Sequence, residues 1–180
     1  MNRNSSLNLG FDGSKNKKRK ELKVLFVSRR DSCRGPIAET IFQHLAEKYN
    51  LKHFNRFSWR ANSAGLEKYN QGNLPEHFCL RVLAENNLET MHGCRQIRLF
   101  DFTRYDYILC MEPKQLASLV EMAPKDKKAR LFMLGDFIKG RDKIICSPSD
   151  EDYNAFRICF ERLYIACEEF YFHVNEKRFY

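Results

Sequence analysis

The chain has 180 residues, 43% of them hydrophobic, with 15 Phe and a formal net charge of +8. That length suits one domain with a full apolar core. No apolar run approaches the roughly 18 residues of a membrane span, and no signal-type apolar stretch stands near the N-terminus, which argues against membrane-spanning and secreted classes.

Residues 1–22 are rich in Asn, Ser, Gly and Lys and lack a periodic apolar face, so a disordered basic tail is expected there, with 23–180 as one α/β domain. Up to Lys23 the chain carries seven basic residues and two acids, +5 of the total of +8. The high pI is therefore largely a tail property, and no nucleic-acid partner is expected. Lys17-Lys18-Arg19-Lys20 reads either as a solvated basic tail or as a nuclear address or acidic-surface contact. Seven cysteines, at 33, 79, 94, 110, 146, 159 and 167, show no paired metal-type spacing. Reduced thiols in a cytoplasmic or nuclear setting follow, with no metal and no cofactor.

Val24 to Val27 is an unbroken apolar run, the pattern of a strand covered on both faces. Ser28 to Arg34 is a short polar loop, and Pro36 suits the first turn of a helix. Ile37, Ala38, Ile41, Phe42 and Leu45 then recur at helical spacing. A loop between a strand end and a helix start aims main-chain N–H groups at one point, in front of the positive end of the helix dipole. Arg34 adds a guanidinium fork, so Ser28, Arg29, Arg30, Asp31, Ser32, Cys33 and Arg34 are expected to form an anion-binding loop.

Helix 1 is expected from Pro36 to about Tyr49 and strand 2 from Phe57 to Ala61. Helix 2 opens at Pro75 and stops at Asn86-Asn87, and a short strand or a turn, with a brief helix, is expected over Ile97 to Phe102. Tyr105 to Met111 reads as a buried strand, Pro113 starts another helix, and Arg130 to Leu134 is a strand closed by Gly135. The last helix runs from about Asp150 towards Val174 with Phe156, Cys159, Phe160, Leu163, Ala166, Cys167 and Phe170 on its apolar stripe. Strands alternating with helices mean a parallel sheet covered on both sides, whose ligands bind beyond the carboxyl ends of the strands. The loop after the first strand lies at such an end.

Several segments in order resemble one family. Arg34-Gly35-Pro36-Ile37-Ala38-Glu39 looks like the helix start that follows the phosphate loop of low-molecular-weight protein tyrosine phosphatases. Ser63-Ala64, Gly72-Asn73-Leu74-Pro75, His92 with Arg95-Gln96-Ile97, and Asp106-Tyr107-Ile108-Leu109-Cys110-Met111 resemble further family segments. The resemblance spans Lys23 to about Val174 and implies a three-layer α/β fold, a four-stranded parallel sheet flanked by helices. It implies that Ser28 stands where the family has its nucleophilic cysteine, and that Ser147 of Cys146-Ser147-Pro148-Ser149-Asp150 stands where it has an aspartate general acid. It further implies that Arg30 replaces a loop glycine, Asp31 a loop asparagine and Gly35 a serine or threonine. Asp31, Ser63 and His92 would form a supporting hydrogen-bond network, Tyr69 an aromatic wall of the pocket, and Cys33 a structural thiol. An Arg30 with φ > 0 would be strained.

A thiol can be brought to roughly pKa 3.5–7.5 by helix ends and basic neighbours. A serine hydroxyl cannot, and needs a general base. The resemblance with these departures implies a pseudophosphatase: no efficient turnover, but a surviving site for phosphotyrosine protein or a small phosphate- or sulfate-type anion. A weakly active phosphatase acting on phosphotyrosine or small aryl phosphates is the alternative.

Overall fold

The computed structural model describes residues 19–52, 57–140, 142–149 and 151–176. Strands β1 (Lys20–Ser28), β2 (Phe57–Gly65), β3 (Tyr107–Cys110) and β4 (Arg130–Met133) pair in parallel in the order β2-β1-β3-β4. Five helices follow or separate them: α1 (Arg34–Lys52), α2 (His77–Glu85), α3 (Asp101–Arg104), α4 (Pro113–Met122) and α5 (Tyr153–Glu176). The α/β fold is the expected four-stranded parallel sheet with helices on both faces. None of the described helices is long and apolar enough to cross a membrane.

The apolar run of β1 explains the layering. Alternate side chains of a strand point to opposite faces. Val24 and Phe26 enter a core shared with α1 and α5, whereas Leu25 and Val27 enter a second core with Phe102, Ile108 and Leu119. All four are fully buried. In the first core Phe42 of α1 lies 5.2 Å from the Trp59 ring and 5.6 Å from both Phe26 and Phe170.

The first strand begins at Lys20, so Lys20, Glu21 and Leu22 belong to the sheet and not to a tail ending at 22. Only Leu22 of the three is buried, and Glu21 pairs with Arg60 across the sheet. Main-chain pairing extends the strand past the point where its side chains turn polar, which an apolar pattern cannot register. Residues 1–18, with Lys17 and Lys18, lie outside the described residues. Helix α1 starts two residues before Pro36, α2 two residues after Pro75, and α5 at Tyr153 instead of near Asp150. A 3₁₀ turn, Leu134–Phe137, takes up the end of the expected fourth strand.

The chain winds from β1 out to β2, then returns to the other side of β1 for β3. The carboxyl ends of β1 and β3 therefore flank the switch point of the sheet, where such folds open a crevice. The loop 29–33 leaves one end and Met111-Glu112 leaves the other.

Candidate functional site

A cavity of about 330 Å³ opens at this switch point. Arg29, Arg30, Ser32, Cys33 and Arg34 line it from the loop and the start of α1. Glu76, Glu112, Ser147 and Phe156 close the other sides.

Arg34 is 95% buried and fixed at one end. Its Nη1 donates to Glu112 and, at 2.7 Å, to the carbonyl of Ile145. Among the described residues none accepts a hydrogen bond from its Nε or Nη2. That edge carries two parallel N–H vectors, the geometry that matches two oxygens of a tetrahedral oxyanion. Glu112 thus positions the guanidinium, and Gln115 Nε2 steadies the carboxylate at 3.1 Å.

The loop main chain is pinned from outside. The carbonyls of Ser28, Arg29 and Ser32 accept from the amides of Leu66, Glu67 and Glu76 at 3.0, 2.9 and 2.9 Å. In a trans peptide the N–H points opposite to the C=O, so the amides of Arg29, Arg30 and Cys33 face away from those segments. Among the described residues none accepts from them. The peptide between Arg30 and Asp31 departs from the expected convergence of amides. Its carbonyl accepts from Ser28 Oγ, which turns the Asp31 amide the other way. A serine hydroxyl that is 99% buried needs an acceptor for its proton, and this carbonyl supplies it. Neither Arg30 nor Asp31 has positive φ, so the strain expected of a bulky residue at a family glycine does not arise. Gly65 lets the loop lie against β2, since a Cβ there would come within 2.8 Å of the Asp31 nitrogen.

Asp31, Ser63 and His92 are brought together, with Glu39 as a fourth member. His92 Nε2 lies 2.6 Å from Asp31 Oδ2 and 3.2 Å from Ser63 Oγ, and its Nδ1 lies 3.1 Å from Glu39. Ser63 Oγ donates to Glu39 at 2.9 Å, and the Arg95 amide donates to Asp31 Oδ2 at 3.0 Å. Asp31 therefore serves this network and does not line the cavity. Its Oδ1, buried and without a hydrogen-bond partner, sits 3.0 Å from where a Cβ on Gly35 would stand. The carboxylate fills the room that a side chain at 35 would need.

Burial opposes the charge on His92, but its hydrogen bonds to Asp31 and Glu39 and their negative charges outweigh burial and hold its pKa at about 9. An unfolded histidine titrates near 6.5. The raised value stabilises the fold fully below about pH 6.5, and that contribution is lost as pH rises through about 9, on the order of 3 kcal/mol. Urea unfolding at pH 6, 7.5 and 9.5 is expected to show stability falling across that window, and a flatter profile in His92→Gln.

Two expected site residues are placed differently. Ser28 lies beneath the loop with its hydroxyl committed to Arg30 and does not line the cavity. Tyr69 is not among the residues lining the cavity, whereas Arg30, whose guanidinium sits 4.6 Å from the centre of the Tyr69 ring, is. Ser147 lines the cavity. Cys33 is the thiol at the cavity wall, and burial chiefly, with its Cys79, Cys159 and Glu76 neighbours, pushes its pKa well above the ordinary value, Arg34 only partly countering. Glu112 and Glu76 escape sequence reasoning. The available signal for Glu112 is its place at the carboxyl end of β3, directly before Pro113 at the start of α4. Glu76 instead accepts from Ser32 Oγ at 2.8 Å.

Comparison with known proteins places this geometry among relatives. The family model described as low molecular weight phosphotyrosine protein phosphatase matches residues 23–179. Low molecular weight phosphotyrosine protein phosphatase 2 of Drosophila melanogaster is 35% identical over 159 residues, covering 86% of this chain and 93% of its own. The human low molecular weight phosphotyrosine protein phosphatase is 31% identical over 149 residues, covering 82% and 92%. The crystal structure of a drosophila arginine phosphatase superposes with a TM-score of 0.78 at 34% identity, covering 85% of this chain and 98% of that one.

Proposed function

Because this chain belongs to the low molecular weight phosphotyrosine protein phosphatase family, we propose that it is a member that binds phosphoryl groups and does not turn them over. The observation that carries the reading is the buried Arg34, which lines the cavity and is anchored through Nη1, while among the described residues nothing accepts from its Nε or Nη2. A phosphotyrosine side chain of a protein or a small phosphate- or sulfate-type anion is the ligand class. Among the described residues nothing accepts from three amides of the loop, which supply further donors.

Absence of turnover follows from the groups at the site. Ser28 would need a base to ionise, and its proton is given to a main-chain carbonyl. Cys33 is kept protonated by burial and offers no substitute thiolate. Ser147 at the acid position holds its proton too tightly to pass it to a leaving group at neutral pH. Without nucleophile and acid, Arg34 and the amides hold an oxyanion and do nothing to its bonds.

Slow phosphatase activity is the second reading, favoured by the relatives named as phosphatases. Titration with inorganic phosphate or tungstate, native against Arg34→Ala, separates the cases when run beside an aryl phosphate assay. Saturable binding by the native chain, lost in Arg34→Ala, with no release of phosphate is the expected result. Release of phosphate that depends on Arg34 would favour the second reading.

A further inference from the structure

Arg29 and Arg30 stand at the mouth of the cavity and the binding reading leaves them without a task. Glu67 joins them, 2.7 Å from Arg29 Nε and 3.7 Å from Arg30 Nε, and the Tyr69 ring backs Arg30 at 4.6 Å. One carboxylate serves two guanidiniums, so the mouth keeps a net positive charge. Deeper in the wall Glu112 pairs with Arg34, whereas Glu76 accepts from the neutral Ser32 and keeps its charge, so the selection rests on the placing of the guanidiniums and not on an overall positive site. Arg30 also covers the aromatic face on which an aryl group would otherwise stack.

Resting on the reading that Arg34 binds a phosphoryl group, we propose that the cavity selects a compact ligand with two adjacent phosphoryl groups, a small molecule carrying a diphosphate. The inner phosphoryl takes the Nε and Nη2 edge of Arg34. The outer one takes Arg29 and Arg30, whose guanidiniums Glu67 and Tyr69 hold in place. A cavity of about 330 Å³ accommodates two linked phosphoryl groups, and planar guanidiniums bind their oxygens in pairs. A monoester of phosphate uses only the inner half, and its aryl group meets a cation already seated on Tyr69. No bond is made or broken in this step.

The test is a titration of the full chain with inorganic phosphate and inorganic diphosphate at one fixed ionic strength near 0.15 M, where long-range attraction is screened beyond about 8 Å. Diphosphate is expected to bind about tenfold more tightly or better, the scale of one added charge-assisted contact near the surface. In the Arg29→Ala/Arg30→Ala double variant that ratio falls towards one. Tyr69→Leu, which leaves every charge in place, lowers the ratio through loss of the support under Arg30. Both arginines are exposed, their side chains at 66% and 47%, so the double variant is expected to fold, and a thermal melt checks this. A ratio near one in the native chain overturns the inference. So does a ratio that survives in the double variant, the result expected if the basic N-terminal residues attract polyanions on their own. Saturable phosphate binding with no preference sinks this inference and leaves the Arg34 reading standing, whereas no binding of either anion sinks both.

Discussion

Aryl phosphate hydrolysis is expected to be near background in the native chain, to rise little in Ser28→Cys, and to rise by roughly a further 10²-fold or more in Ser28→Cys/Ser147→Asp. The order follows from the groups each change supplies. Cysteine at 28 brings a thiol that the start of α1 and Arg34 can ionise, replacing a nucleophile whose loss costs on the order of 10⁶ where it has been measured in a serine protease. Aspartate at 147, on the cavity wall, brings the proton that the departing aryl oxygen needs. The two are not additive, since a nucleophile without an acid stalls on the leaving group. The loop adds a condition. With a thiolate at 28 the Arg30 carbonyl loses its donor and faces a negative sulfur, so the 30–31 peptide has to turn over. Arg30→Gly, which frees that peptide to enter left-handed conformations, is expected to raise the double variant further. Initial rates on an aryl phosphate, with a melt for each variant, decide the matter. A double variant no faster than Ser28→Cys alone, even with Arg30→Gly added, would mean that Ser147 does not stand at the acid position.

Asp31→Ala is expected to cost about 3 kcal/mol, the low end for breaking a buried ion pair, and to lower the melting temperature by roughly 6–12 °C. Asp31 is 99% buried, and its Oδ2 accepts from both His92 and the Arg95 amide. Removing it leaves the amide without its acceptor and the imidazolium with Glu39 as its one remaining carboxylate. Asp31→Asn keeps the acceptor and loses the charge. It is expected to cost less and to shift the upper edge of the pH-dependent loss below about 9, because one of the two charges holding His92 protonated is gone. Thermal melts of both variants from pH 6 to 9.5 check this. An Asp31→Ala chain as stable as the native one would contradict the network.

Much of this architecture is legible in the sequence where a pattern has one physical cause. Four apolar residues in a row at Val24–Val27, closed by a polar loop, suit a strand with two cores, and Val24 with Phe26 and Leu25 with Val27 divide between them. The stripe on α5 is legible for the same reason. Features that depend on a single atom are not. Nothing in Lys20-Glu21-Leu22 marks a strand, because its pairing is main-chain. A serine at 28 is plain in the sequence, but not that its hydroxyl donates to the Arg30 carbonyl. Tyr69 reads as an aromatic wall until Arg30 is seen lying on it. Glu112 is one acid among 23, and only its contact with Arg34 distinguishes it.

Calorimetric injection of phenyl phosphate into the native chain bears most directly on the claim that an oxyanion is gripped and left intact. The heats are expected to saturate at about one equivalent and to return to baseline after each injection, with the isotherm abolished in Arg34→Ala. A steady residual heat scaling with protein concentration, the mark of continuing hydrolysis, would contradict the account, and so would an isotherm with no binding heat at all.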